Sequence, residues 1–265
     1  MRDGKINLCF CSALISVCAF FMAAGLGANA EEGKQPVLVE LFTSEGCSSC
    51  PPADLLLAQF DRQQPIPGAW AIVLSEHVTY WNDLGWRDPF SKPELTERQR
   101  RFADQLRTEG PYTPQMVVNG QWEFVGSNVA ALSKAVQEAA RQERLHPPVE
   151  IRVENLQMDG KTLHATIKTG PGPGALLFAV LAADAPPAHV ARGENAGKSL
   201  GHVAVVRSWV ELLRVEAPLK GYLLNLPLAA DTPDKMRLIL FLQDEKTGRV
   251  IGSTEIIFNR PREGA

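Results

Sequence analysis

Gly46-Cys47-Ser48-Ser49-Cys50-Pro51-Pro52-Ala53-Asp54 lies between a strand-like apolar run at residues 37–42 and a helix-like run at residues 55–60. The cysteine pair therefore sits where a strand hands over to a helix. Two thiols separated by two residues can close a small disulfide ring, and the unpaired N–H groups and macrodipole of a helix N-terminus favour a thiolate on the first sulfur. Pro51 and Pro52 suit a first helical turn, where a missing N–H loses no hydrogen bond. Leu55, Leu56, Leu57 and Phe60 give that helix its apolar face.

Upstream, residues 1–30 read as a secretory signal: Arg2 and Lys5 form a basic start, an apolar run follows, and Ala28-Asn29-Ala30 makes a small-residue cleavage site. An uncleaved membrane anchor is the alternative. Removal of this segment takes away Cys9, Cys11 and Cys18, so Cys47 and Cys50 are the thiols of the exported, periplasmic or extracellular chain. A protein of about 235 residues buries an ample core without a staple, and so short a loop restrains the unfolded chain little. Losing Arg2, Asp3 and Lys5 moves the net charge from −3 to −4. With no basic patch, nucleic-acid binding is disfavoured, and no stable membrane insertion is expected once the signal is gone.

The run at residues 37–42 is apolar except for Glu40, which suits a strand covered on both faces. Two placements of Glu40 are open: buried near the thiols with a raised pKa, as a proton shuttle, or turned outward and solvated. Residues 70–74 form the next buried strand, completing a strand, helix, strand crossover unit. His77 follows, in a connection rich in aromatics. It is either a proton donor or metal ligand beside the sulfurs, or a histidine satisfied by local hydrogen bonds. Tyr80, Trp81 and Trp86 either line a binding groove or pack the loop onto its own domain. Ser91-Lys92-Pro93-Glu94 reads as a capping box opening a helix to about Arg107, with Arg98, Arg100 and Arg101 on a solvated face. Thr113-Pro114 then opens a short strand, Asn119-Gly120 makes a hairpin turn, and a helix runs from residue 128 to 141.

This order of parts resembles the thioredoxin superfamily, and the first half is expected to be an α/β thioredoxin-like domain. The resemblance implies that the bond before Pro114 is cis, that Pro114 lies against the cysteines, and that the backbone of Thr113 pairs with an extended substrate. Glu40 resembles the buried acid of thioredoxins, with one extra residue, Gly46, before the first cysteine. Residues 41–52, Glu76-His77-Val78 with Tyr80-Trp81, Leu84-Gly85-Trp86 and residues 112–116 are similar to a bacterial family of secreted thioredoxin-like proteins described as a domain of unknown function. So are residues 192–197 and Val205-Val206-Arg207.

Beyond the linker at residues 144–148 the texture changes to seven strand-like runs, at 149–154, 162–168, 176–182, 203–213, 222–226, 236–243 and 250–258. Their spacing predicts an all-β, sandwich-like C-terminal domain, giving a division into 1–30, 31–145 and 146–265. The loop carrying Arg192, Glu194 and Asn195 either approaches the first domain's site or is ordered by its own charge pairs. Three functions are open. One is a thiol-disulfide oxidoreductase acting on exported protein thiols, small thiols or a redox partner protein, with no cofactor beyond the Cys47–Cys50 disulfide. There Cys47, the more exposed thiol, attacks, Cys50 resolves, and Ser48 and Ser49 donate to the thiolate. The second is soft-metal (copper or zinc) handling by two thiolates and His77, and the third is a binding module with an inert disulfide.

Overall fold

A computed structural model describes residues 33–172, 174–229 and 233–260. The expected export segment, with Cys9, Cys11 and Cys18, lies outside these residues. Among the described residues no helix is long and apolar enough to cross a membrane.

The apolar run before the cysteines becomes β1 (Gln35–Thr43), buried from Val37 onward. It pairs in parallel with β2 (Ala69–His77), reached through α1 (Pro51–Gln63). On its other edge it pairs antiparallel with β3 (Gln115–Val118), which turns into β4 (Trp122–Val125). The turn is made by Asn119 and Gly120, both at positive φ (45° and 65°), as an Asn-Gly hairpin requires. A side chain at Gly120 would also run into the Gly248 carbonyl, so the turn doubles as a close approach between the two halves.

Alternation along β1 distributes the helices. Leu41 faces Ala53 of α1, and α3 (Val129–Leu145) packs on β1 beside α1. Glu40 and Phe42 point the other way, to Arg98 and Phe102 of α2 (Pro93–Leu106). The expected capping box is not formed. Proline disfavours a helical conformation at the residue before it, so Lys92 is extended (φ −135°, ψ 138°) and becomes the N-cap. The Ser91 hydroxyl donates instead to the Asp88 carbonyl.

The seven strands of the second half are β5 (Ile151–Asp159), β6 (Thr162–Thr169), β7 (Ala175–His189), β8 (Ser199–Val215), β9 (Tyr222–Pro227), β10 (Lys235–Asp244) and β11 (Val250–Asn259). They do not close on themselves. β11, β10, β7 and β8 extend the first half's sheet, giving the order β11-β10-β7-β8-β2-β1-β3-β4, and β5-β6-β9 form a separate three-stranded sheet. The junction is a parallel pairing of Ser75 with Val205, reinforced by the Ser75 hydroxyl donating to the Val203 carbonyl at 2.7 Å.

Two-residue alternation lets β7 and β10 serve two cores at once. Phe178, Val180, Ala182, Ile239 and Phe241 join the core that contains β1, α1 and α3. Leu177, Ala179, Leu181, Leu238 and Leu240 face β6 and β9. Arg237 of β10 adds a bidentate bridge to Asp61 of α1, at 2.8 and 2.9 Å.

Candidate functional site

Cys50 is the N-cap of α1, its carbonyl accepting from the N–H groups of Ala53 and Asp54, and Cys47 precedes it by one tight turn. The two sulfurs are joined as a disulfide, with Cα atoms 5.4 Å apart. The Ser49 hydroxyl lies 3.3 Å from Cys47 Sγ, as expected of a neighbouring donor; Ser48 instead offers its backbone N–H to Glu194. Cys47 is not the more exposed thiol, because neither cysteine has accessible surface.

The second half bonds directly to the cysteine loop. Asn195 Nδ2 donates to the carbonyls of both Glu45 and Cys47, at 2.9 and 2.8 Å, and Glu194 accepts from the Ser48 N–H at 3.0 Å. Asn195 is itself fully buried. The loop comes this near because Gly193 (φ 80°) seats against Gly85 and Trp86, where a side chain on either glycine meets backbone or the Trp86 Cβ. The loop thus approaches the site and is not ordered by its own charges alone.

The aromatic connection after β2 packs onto its own domain and against the cysteine loop. Trp86 Nε1 donates to Glu45, and Trp81 Nε1 donates to the Thr113 hydroxyl while its Cβ abuts Gly46. Tyr80 reaches Gln99 of α2. The Thr113–Pro114 bond is cis. Pro114 Cβ and Ala53 Cβ crowd the same point above Gly126, which places the proline beside the first turn of α1.

Of the expected catalytic side chains, Glu40 takes neither of its two placements and His77 takes the locally hydrogen-bonded one. Glu40 is fully buried, but on the α2 face of the sheet, paired to Arg98 Nε at 2.5 Å with Glu76 alongside. Strand alternation sends it away from α1 and its cysteines. Arg98, read as solvated, is buried, its guanidinium stacked among Phe102, Phe178, Trp209 and Phe241. Burial, then the charge of Glu40, raises the Glu76 pKa well above the usual carboxylate range against the pull of Arg98. His77 is buried at the end of β2 with Nδ1 2.7 Å from Asp88 Oδ2, so local hydrogen bonding accounts for one ring nitrogen. Burial works against the Asp88 charge, yet His77 and the N–H groups of Glu45 and Phe90 hold its carboxyl down at about 2. With the sulfurs joined and His77 engaged, no group of three or more His, Cys, Asp or Glu among the described residues is arranged to hold a metal ion.

Sequence reasoning missed His202, Asp54 and Asp88. His202, on β8, is set between the carboxylates that flank the cysteines. Its Nε2 lies 3.6 Å from Glu45 Oε1 and its Nδ1 3.6 Å from Asp54 Oδ1, with the His77 ring edge-on at 4.6 Å. Burial works against the imidazolium, but the two carboxylates outweigh it and hold His202 up at about 9. No local pattern around His202 signals this, since the partners come from distant parts of the chain. Asp54 was legible only as a helical neighbour of Cys50, four residues on.

No curated protein matches the chain. Among solved structures, a structural-genomics target from Agrobacterium tumefaciens superposes with a TM-score of 0.64 at 25% identity, over 89% of this chain and 100% of that one. Wild-type OgpA from Akkermansia muciniphila aligns with a TM-score of only 0.29 at 9% identity, over 85% of this chain and 64% of its own. Residues 38–243 match the family described as "Protein of unknown function (DUF1223)". That match spans well over half of the sequence, and the chain belongs to the DUF1223 family.

Proposed function

We propose that this protein is an exported thiol-disulfide oxidoreductase with a thioredoxin-like first half, working through the Cys47–Cys50 couple. The observation that carries the reading is a disulfide immediately before the first turn of α1, with the cis-bonded Pro114 beside that turn. A helix N-terminus lowers a thiol's pKa and stabilises the thiolate that exchange requires. The β1-α1-β2 crossover, the β3-β4 hairpin and helices on both faces of the sheet support the thioredoxin-like assignment.

In the disulfide form, a partner thiolate attacks Cys47 Sγ and the S–S electron pair passes to Cys50 Sγ. A second partner thiolate then breaks the mixed disulfide, leaving two reduced cysteines and an oxidised partner. The backbone beside Pro114 offers groups for an extended partner chain, and Trp81 fixes that corner through Thr113. Exported protein thiols or a redox partner protein are the substrates this arrangement suits. The Cys50→Ser variant retains Cys47 as nucleophile, so it accumulates mixed disulfides, visible on non-reducing gels as adducts removed by dithiothreitol. Cys47→Ser accumulates none. Adducts on Cys47→Ser alone would reverse the two roles, and adducts on neither variant would remove the exchange reaction.

A second reading, a binding module with an inert disulfide, is favoured by one observation. Both cysteines are fully buried, and Asn195 and Glu194 bond to the backbone of their loop. In that case the pair resists reduction by thiol buffers in the folded protein.

A further inference from the structure

We infer that His202, which the second half places between Glu45 and Asp54, moves the proton to and from the buried cysteine couple through the Asp54 carboxylate. This rests on the oxidoreductase reading above. It gives the second half a part in the chemistry that the first half's motif does not contain.

Geometry carries it. Glu45 lies two residues before Cys47 and Asp54 four after Cys50. A spacing of four puts Asp54 and Cys50 on one face of the helix. His202 closes the cluster, 3.6 Å from a carboxylate oxygen on each side. These distances make ion pairs but fall short of hydrogen bonds. Both nitrogens of His202, Oε1 of Glu45, Oδ1 of Asp54 and Nε2 of the neighbouring His77 are buried without a hydrogen-bond partner. Buried polar atoms are nearly always bonded, and a histidine kept for packing would have its ring nitrogens satisfied. Five unsatisfied atoms gathered behind one disulfide point to groups held ready to exchange protons rather than to a structural knot.

The chemistry needs such a group. When a partner dithiol reduces the disulfide, the couple gains two electrons and two protons and the partner loses the same. Cys50 leaves as a thiolate in a place with no access to solvent water. Asp54 can pass it a proton taken from His202, and in the reverse direction can accept the Cys50 proton and return it. Glu45 and Asp54 alone would oppose a thiolate by like-charge repulsion, and the imidazolium offsets them.

The groups facing His202 from each neighbouring element are Glu45 after β1, Asp54 on α1 and His77 on β2. His77 carries Asp88 on its far nitrogen. Phe90 completes the shell, with Arg207 stacked on its outer face at 4.6 Å. The carboxylates hold the His202 proton to about 9, so the reservoir is filled at neutral pH.

The test is the rate at which dithiothreitol reduces the Cys47–Cys50 bond in the wild-type protein and in His202→Gln, from pH 6 to 10. Dividing one rate by the other cancels the reductant's own ionisation. The wild type is expected to be about a hundredfold faster at pH 7. The ratio should shrink toward unity as pH rises through about 9 and His202 loses its proton. A ratio constant across the range, or a ratio of one throughout, overturns the inference. Asp54→Asn keeps His202 and breaks the path, so it should give the same pH-dependent ratio and carries the test if His202→Gln folds poorly. A wild-type disulfide that dithiothreitol leaves intact in the folded protein removes the oxidoreductase reading itself, and this inference with it.

Discussion

Arg98 carries one positive charge against two buried carboxylates, Glu40 and Glu76, so burial and then the charge of Glu40 push the Glu76 pKa well above the usual carboxylate range. Glu40, at 2.5 Å, is the nearer partner of Arg98, and Glu76, at 3.7 Å, is the one whose pKa is raised. Glu40→Gln should therefore destabilise the protein, by less than the about 3–5 kcal/mol of a wholly uncompensated buried guanidinium, because Glu76 remains beside Arg98. Glu76→Gln, which mimics the protonated acid, should leave the urea midpoint little changed. Part of this was legible in advance: Arg98 falls three residues after Leu95 and four before Phe102, on the helix's apolar face, although its charged neighbours make the run look solvated. Glu40 was legible only as the one acid in an apolar strand, since it is neither beside the thiols nor solvated. Alternation says it opposes Leu41, but which face carries α1 is decided by the fold.

His202 and Asp88 set opposite ends of the pH range. His202 is raised from 6.5 to about 9, so its contribution is complete below 6.5 and is lost as pH climbs through 9. That difference corresponds to about 3 kcal/mol. Asp88 is lowered from 3.8 to about 2, so its contribution is present above 3.8 and disappears as pH falls through 2. Thermal melts from pH 6 to 10 should show the alkaline loss in the wild type and a flatter profile in His202→Gln.

At the scale of elements, β7, β8 and β10 form the wall against which α2 closes. Phe178 and Phe241 stack at 4.9 Å, Trp209 leans on both, and Arg98 covers the group. Phe241 has no accessible surface, and Phe241→Ala should cost about 3–5 kcal/mol in equilibrium unfolding. Each strand and helix was readable from its own residues, since period-two and helical apolar patterns survive locally. The start of α2 was not, because Pro93 overrides the Ser91 capping signal by extending Lys92.

For the whole molecule, the sheet passes without a break from β1 and β2 into β8, β7, β10 and β11. The change of texture near residue 146 marks where helices stop, and strand order across that point is a long-range property that no window of sequence displays. Val180, Val206, Ile239 and Phe241 complete the core around β1 and β2. Residues 31–148 produced alone should therefore lack cooperative unfolding, whereas residues 31–265 should unfold in one transition by circular dichroism. A sharp, stable transition in the shorter piece would make the second half an attached lobe.

The same junction brings Glu194, Asn195 and His202 to the cysteine loop and its flanking carboxylates, so the cysteine site belongs to both halves. The direct measurement is the reduction potential of Cys47–Cys50 in residues 31–265, equilibrated against glutathione and dithiothreitol buffers and read by thiol alkylation and mass. A working couple titrates reversibly as a two-electron process above about −300 mV; a pair that stays oxidised below about −300 mV is a structural disulfide and contradicts the oxidoreductase function.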